Sequence, residues 1–103
     1  SYPRYNLIES GSGFRIDIAV PGWNKTELEI IADGEELHIK GNKQHKLDEG
    51  ERFLHQGLSL KSFERRFILN PDLQVKDVNL QDGLLTIQLT RTPNSKRKIL
   101  EIK

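Results

Sequence analysis

Apolar and polar residues alternate along much of the chain, which is the period of a β-strand with one buried face. The clearest runs are FRIDIAV at 14–20, ELHIKG at 36–41, SFERRFIL at 62–69 and LLTIQLT at 84–90. The residues expected on the inward faces are Phe14, Ile16, Ile18, Val20, Leu37, Ile39, Phe63, Arg65, Phe67, Leu69, Leu85, Ile87 and Leu89. Turn residues separate the runs, in SGSG, VPG, ADGEE, NPD and LQDG. Short strands at this spacing predict an all-β fold, either a sandwich or a small barrel.

The stretch TELEIIADGEE at 26–36 has two interpretations. Its Glu and Leu content suits a helix of one or two turns, but Gly34 and the neighbouring strands favour a strand over Leu28 to Ile31. We therefore expect a hairpin that leads into Leu37.

One long segment breaks the alternation. GNKQHKLDEGER, residues 41–52, has Leu47 as its single apolar residue, and loops of about a dozen residues are uncommon without a role. It leads into FLHQGLS at 53–59, a short run with no clear partner strand in its own chain. Such a run either pairs with another chain, because unpaired strand backbone accepts a further strand, or belongs to an exposed surface loop.

The sequence closes with KRKILEIK at 96–103, after the polar stretch RTPNS. Leu100 and Ile102 flank Glu101, so in an extended chain the two apolar side chains point the same way. Residues 91–103 have a net charge of +4 and residues 1–90 a net charge of −3. Residues 91–103 are called the tail below, and residues 1–90 the body. The basic tail suits docking on the acidic body of its own chain or of a neighbour, and a solubilising end fits the charge equally well.

The composition excludes several kinds of site and segment. The sequence has no cysteine, which excludes disulfides, thiol catalysis and cysteine metal sites. No apolar run approaches the roughly 20 residues of a membrane span, and no signal peptide opens the sequence. The expectation is a cytoplasmic protein without a membrane partner.

Candidate catalytic and metal-binding patterns are also absent from the sequence. His38, His45 and His55 form no close pair, so we expect no metal and no cofactor, and His38 should face solvent on its strand. There is no Gly-x-Ser-x-Gly elbow, and GSG at 11–13 precedes no helix, which indicates a turn. The expectation is a protein that is not an enzyme, although a Ser-His-Asp set assembled in space stays open.

Nucleic-acid binding is the alternative class. The basic run KRK at 96–98 and an all-β body would suit an oligonucleotide-binding barrel, which stacks bases on aromatic side chains along a basic face. Against this, the body is acidic and most of the aromatic residues fall on apolar faces. The aromatic residues are Tyr2, Tyr5, Phe14, Trp23, Phe53, Phe63 and Phe67.

The order of the motifs VPGW, LEIIADGEELHIKG, FERRFIL, LQDGLLTIQL and ILEI resembles the α-crystallin domain of small heat-shock proteins, of the bacterial class in particular. The similarity covers about Tyr5 to Ile102. LQDGLL resembles the A-x-x-x-n-G-V-L signature, with Val78 where alanine is usual, Asp82 for asparagine and Leu84 for valine. FERRFIL is similar to the F-x-R-x-F-x-L strand of the family, and LEI to its C-terminal I-x-I-type motif.

The resemblance implies an immunoglobulin-like antiparallel β-sandwich with a long strand-exchange loop. It also implies an ATP-independent holdase, a chaperone that binds partly unfolded client proteins and prevents their aggregation under stress. Residues 1–4 would be the remnant of an N-terminal arm or a cut end, 5–90 the α-crystallin domain and 91–103 the C-terminal extension. The implied partners are further copies of the chain and unfolded clients.

Two self-contact sites follow from the resemblance. The first is a dimer interface formed by loop exchange, through Arg52, Phe53, Leu54, His55, Gln56, Gly57, Leu58 and Arg65. Arg65 would pair with a partner carboxylate, from Asp48, Glu49 or Glu51, and a solvated Arg65 is the alternative. The second is a groove that accepts the tail of a neighbour, so that higher oligomers form. Its residues are Leu28, Ile30, Val75, Val78 and Leu80, and the residues that fill it are Leu100 and Ile102.

Overall fold

The computed structural model describes residues 2–43, 47–58, 61–91 and 98–103, with Lys98 described by its backbone alone. The strands in this part of the chain are β1 Tyr5–Ser10, β2 Gly13–Ala19, β3 Leu28–Asp33, β4 Glu36–Gly41, β5 Phe63–Ile68, β6 Leu73–Gln81, β7 Leu84–Arg91 and β8 Lys98–Ile99. The helical element of the described residues is a 3-10 turn, Lys25–Glu27. No helix there is long and apolar enough to cross a membrane.

The strands form two four-stranded antiparallel sheets. The first has the order β1-β2-β7-β6 and the second the order β5-β4-β3-β8. This arrangement confirms the predicted β-sandwich. It does not support the small barrel or the oligonucleotide-binding barrel, because the strands are divided between two separate sheets.

The inward faces of the two sheets form one hydrophobic core. The alternation predicted for β2, β4 and β7 is confirmed, since residues between the core positions, such as Arg15, Lys40 and Gln88, are exposed. The buried core residues are Ile16, Ile18, Val20, Trp23, Leu28, Ile30, Leu37, Ile39, Val75, Val78, Leu85, Ile87 and Leu89.

The strand interpretation of the TELEIIADGEE stretch is confirmed, and its helical content is limited to the single 3-10 turn. Asn24 caps that turn: its side-chain oxygen accepts from the backbone N–H of Thr26 at 3.2 Å, and its own N–H donates to Glu27 Oε1 at 3.0 Å. The chain then enters β3 and reverses into β4 at Gly34, whose φ of 62° suits glycine.

A bulge in β6 decides which of its residues face the core. Val75 lies opposite Leu89, whereas Asp77 lies opposite Gln88, so Lys76 is one extra residue on this strand. In a regular strand, residues three apart point to opposite faces. The bulge therefore allows both Val75 and Val78 to be buried.

The two turn glycines of SGSG predict a stability difference. A Cβ added to Gly13 would overlap the carbonyl oxygen of Leu89 on β7, whereas nothing lies within 4 Å of a Cβ added to Gly11. Gly13→Ala should therefore lower the free energy of unfolding by about 1–3 kcal/mol, because β2 has to move away from β7. The matched control Gly11→Ala should change it by less than about 0.5 kcal/mol. Urea unfolding followed by circular dichroism measures both, and equal midpoints would contradict the close approach of the strands.

Candidate functional site

The tail closes one side of the sandwich. β6 is the edge of the first sheet, and β3 would be the edge of the second sheet without β8. β8 pairs antiparallel with β3, with Ile99 opposite Ile31. The next residue continues this pairing, since the N–H of Leu100 donates to the carbonyl of Ile30 at 3.4 Å.

Lys103 joins the same segment to the other sheet. Its N–H donates to the carbonyl of Val78 at 3.0 Å, and its carbonyl accepts from the N–H of Leu80 at 2.9 Å. Its ammonium lies 3.1 Å from Asp77 Oδ1. Residues 98–103 thus cross from the edge of one sheet to the edge of the other and hydrogen-bond to both.

The side chains of residues 99–102 divide by face, as the alternation predicts. Leu100 and Ile102 are half-buried and pack against the core, whereas Glu101 is exposed. Ile99 also faces outward and is 74% exposed. The tail therefore inserts two apolar side chains and leaves a third in contact with water.

The structure gathers most of the predicted groove residues around the tail. Leu28 and Ile30 line an open cleft of about 640 Å³ together with Leu100 and Ile102. Val78 and Leu80 supply the backbone groups that bind Lys103. The remaining predicted groove residue, Val75, lies beyond the bulge and is buried in the core, so its contact with the tail stays a prediction.

Tail and groove meet here within one chain, whereas the family resemblance implies a tail in a neighbour's groove. The two arrangements use the same residues, and exchange between chains stays a prediction. Sequence reasoning missed four residues that take part in docking the tail, Ile31, Ala32, Asp77 and Lys103. Alternation indicates which side chains face inward, but it does not show which distant backbone or charge lies beside them.

The residues predicted for loop exchange lie on an exposed loop between β4 and β5. The described residues of this loop, 42–43, 47–58 and 61–62, form no strand, and Arg52 to Leu58 are all exposed. Leu54 is 90% and Leu58 is 75% exposed. The carboxylate of one candidate acid binds within the loop, since Glu51 Oε1 accepts from the backbone N–H of Asp48 at 2.6 Å. Pairing of this segment with a second copy stays a prediction.

Arg65 is half-buried on β5 and contacts residues at the start of the chain. Its Nε and Nη2 donate to the carbonyl of Pro3 at 3.2 and 2.9 Å, and its guanidinium lies 4.9 Å from the centre of the Tyr5 ring. These contacts link β5 to β1 at the side of the sandwich opposite the tail. An ion pair with a carboxylate of another chain stays a prediction.

The root of the loop is tied to the sandwich by Lys43. Its ammonium lies 2.7 and 2.9 Å from the two carboxylate oxygens of Glu27 and 5.1 Å from the centre of the Trp23 ring. The hydrogen bond from Lys43 holds the pKa of Glu27 below its ordinary value. The backbone N–H of Lys43 donates to Ser62 Oγ at 3.2 Å, so the two ends of the loop are joined.

The outer face of the second sheet carries a small group of charges. His38 lies there, as predicted, because Leu37 and Ile39 on either side are buried, and its Nε2 is 3.2 Å from Glu36 Oε2. On β5, the hydrogen bond from Arg66 lowers the pKa of Glu64. In the described part of the chain, no group of three or more histidine, aspartate or glutamate side chains lies close enough together to hold a metal ion.

Comparisons with known proteins agree with this architecture. Residues 6–103 match the model of the Hsp20/alpha crystallin family. The 16 kDa heat shock protein B of Azotobacter vinelandii is 35% identical over 92 residues, which are 88% of this chain and 63% of that protein. Small heat shock protein IbpA of Escherichia coli O1:K1 / APEC is 40% identical over 99 residues, 93% of this chain and 71% of the relative.

A solved structure extends the similarity to the whole fold. The small heat shock protein from Synechococcus phage S-ShM2 superposes with a TM-score of 0.78 at 36% identity, covering 99% of this chain and 100% of that one. The chain spans less than two thirds of the length of the Azotobacter relative. The sandwich, the order of its motifs and the family match together show that this chain belongs to the Hsp20/alpha crystallin family.

Proposed function

We propose that this protein is an ATP-independent holdase, which binds partly unfolded proteins and keeps them from aggregating. The observation that carries the proposal is the apolar groove between β3 and β6, covered by a short, half-buried segment. The family match and the heat shock proteins among its relatives support the same function.

The groove has the hydrogen-bonding groups and the apolar side chains that can bind an unfolded chain. Two strand edges present backbone donors and acceptors, and apolar side chains such as Ile30 and Val78 lie between them. An extended segment of any sequence can hydrogen-bond to a strand edge, while alternate apolar side chains enter the groove. This arrangement suits binding of exposed apolar segments.

The contacts of the tail are weak enough to be reversible. Full burial of a leucine or isoleucine is worth roughly 1.5–3 kcal/mol each, and Leu100 and Ile102 are only half-buried. Ordering the backbone opposes docking by about 1–2 kcal/mol per residue. Release of the tail would then uncover the groove for clients at a small net cost in free energy.

The holdase proposal predicts suppression of aggregation without nucleotide. The full chain, at a subunit concentration equal to that of a heat-labile model client, should reduce heat-induced light scattering, because exposed client segments bind the groove. Addition of ATP should leave the curve unchanged. A need for ATP, or no suppression at several-fold excess of the chain, would contradict the proposal.

We also propose that tails exchange between chains and so build higher oligomers. The linker between β7 and β8 falls at residues 92–97, outside the described residues, and a tail attached to it can meet the same donors and acceptors on another body. One such contact is weak, but several acting together raise the overall affinity strongly.

Tail exchange predicts a smaller assembly when the inserted side chains are removed. Leu100→Ala with Ile102→Ala should reduce the oligomer to dimers, because both half-buried apolar contacts are lost. Glu101→Ala is the matched control, since Glu101 is exposed between them and its loss should not change the mass. Light scattering at equal concentration measures the mass of each assembly, and circular dichroism verifies that the variants are folded. An unchanged mass of the double variant would contradict the proposed tail exchange.

The loop supports a further proposal, that Arg52–Leu58 pairs with an edge strand of a second copy. In the described part of the chain, β1 and β5 are the edge strands on the side of the sandwich away from the tail. The segment is exposed and carries apolar side chains, and β1 exposes Leu7 to 59%. The Lys43 contacts at the loop root fix the point from which this segment leaves the sandwich.

Loop exchange predicts that the dimer depends on the segment. Replacing residues 48–58 with a short Gly/Ser linker, which leaves Lys43 in place, should give monomers by light scattering. Arg65→Ala should weaken the same dimer, by about 3–5 kcal/mol if its partner carboxylate is buried. Arg66→Ala is the control, because Arg66 is exposed and pairs with Glu64 on its own strand. A dimer that survives the linker would place the interface elsewhere.

A further inference from the structure

We infer that Asp77 makes the groove selective for tails that carry a cation immediately after the second inserted apolar residue, the position of Lys103. The inference rests on the proposed docking of the tail and adds which tails are accepted. The partner it identifies is an extended segment of the form apolar-x-apolar-cation, such as the tail of a second copy.

Backbone geometry holds the position of Lys103 in register. Its N–H and carbonyl both bind β6, at 3.0 Å to Val78 and 2.9 Å to Leu80. Because these two bonds flank one residue, the tail cannot slide along β6 without losing both. The residue at this position therefore always presents its side chain near the same part of the groove.

The bulge in β6 provides the acid that meets this side chain. Val75 and Asp77 are two residues apart and would share the inward face of a regular strand. The extra residue Lys76 shifts the phase, so that Val78 enters the core and Asp77 lies beside the end of the tail. Asp77 Oδ1 is then 3.1 Å from the ammonium of Lys103.

The apolar contacts alone discriminate poorly, since many tails can supply two aliphatic side chains at this spacing. The ion pair adds modestly to the affinity of the groove for the tail, because the side chains of Lys103 and Asp77 are 69% and 37% exposed. Exposed pairs of this kind change affinity by about two- to fivefold. A carboxylate at position 103 adds repulsion, so the preference for lysine over glutamate should approach tenfold. Assemblies held by several tails multiply this preference.

Peptide binding to the full chain tests the inference. The chain carries Leu100→Ala and Ile102→Ala, so that its own tail competes weakly, and the probe is a fluorescent, C-terminally amidated peptide KILEIK. Anisotropy titrations compare it with peptides in which Lys103→Gln or Lys103→Glu has been made. We expect binding two- to fivefold weaker for glutamine and about tenfold weaker for glutamate, with differences that shrink in 1 M salt because charges are screened.

Changes to the body complete the test. Asp77→Asn should abolish the preference, and Asp77→Lys should reverse it in favour of the glutamate peptide, which also shows that the variant still folds. Asp72→Asn, at the exposed turn before β6, is the control and should leave the preference unchanged. Equal affinities of the three peptides for the unaltered body would overturn the selectivity alone. No binding of any peptide would overturn the docking on which it rests.

Discussion

The hydrogen bonds that residues 98–103 make to β3 and to β6 are the interaction on which the proposed function and assembly depend. A sheet edge carries unpaired donors and acceptors, and an exposed edge invites another strand. Here two such edges face each other across apolar side chains. Residues 98–103 satisfy both, first through β3 and then through Lys103 on β6.

We expect the sandwich to stay folded without this closure, so that its stability and the proposed function rest on different contacts. Fully buried residues of β2, β4 and β7, such as Ile16, Leu37 and Ile87, form the centre of the core. Leu100 and Ile102 only pack against its margin and stay half-buried. We expect a segment with this little burial to leave without unfolding the sandwich, and its departure would expose the surface that the proposed function requires.

The chain presents a second surface at the opposite side of the sandwich, where β1 and β5 are edges. Arg65 connects these strands through Pro3 and Tyr5, and Lys43 anchors the root of the exposed loop. Contacts at two separate sides of one body allow chains to be linked in series, which is the geometry that the proposed dimer and its assembly by tails would use.

The sequence by itself determined the strands β2, β3, β4, β5 and β7, the β3–β4 hairpin and the orientation of Leu100 and Ile102, because strand side chains alternate with a fixed period of two and turn glycines interrupt that period. It also determined the family, since the motifs keep their order along the chain. The tertiary structure decided the bulge at Lys76 and the proximity of Asp77 to Lys103. It likewise decided that tail and groove meet within one chain. These features depend on register and on contacts between residues far apart in the chain, and no local pattern of apolar and polar residues encodes such distances.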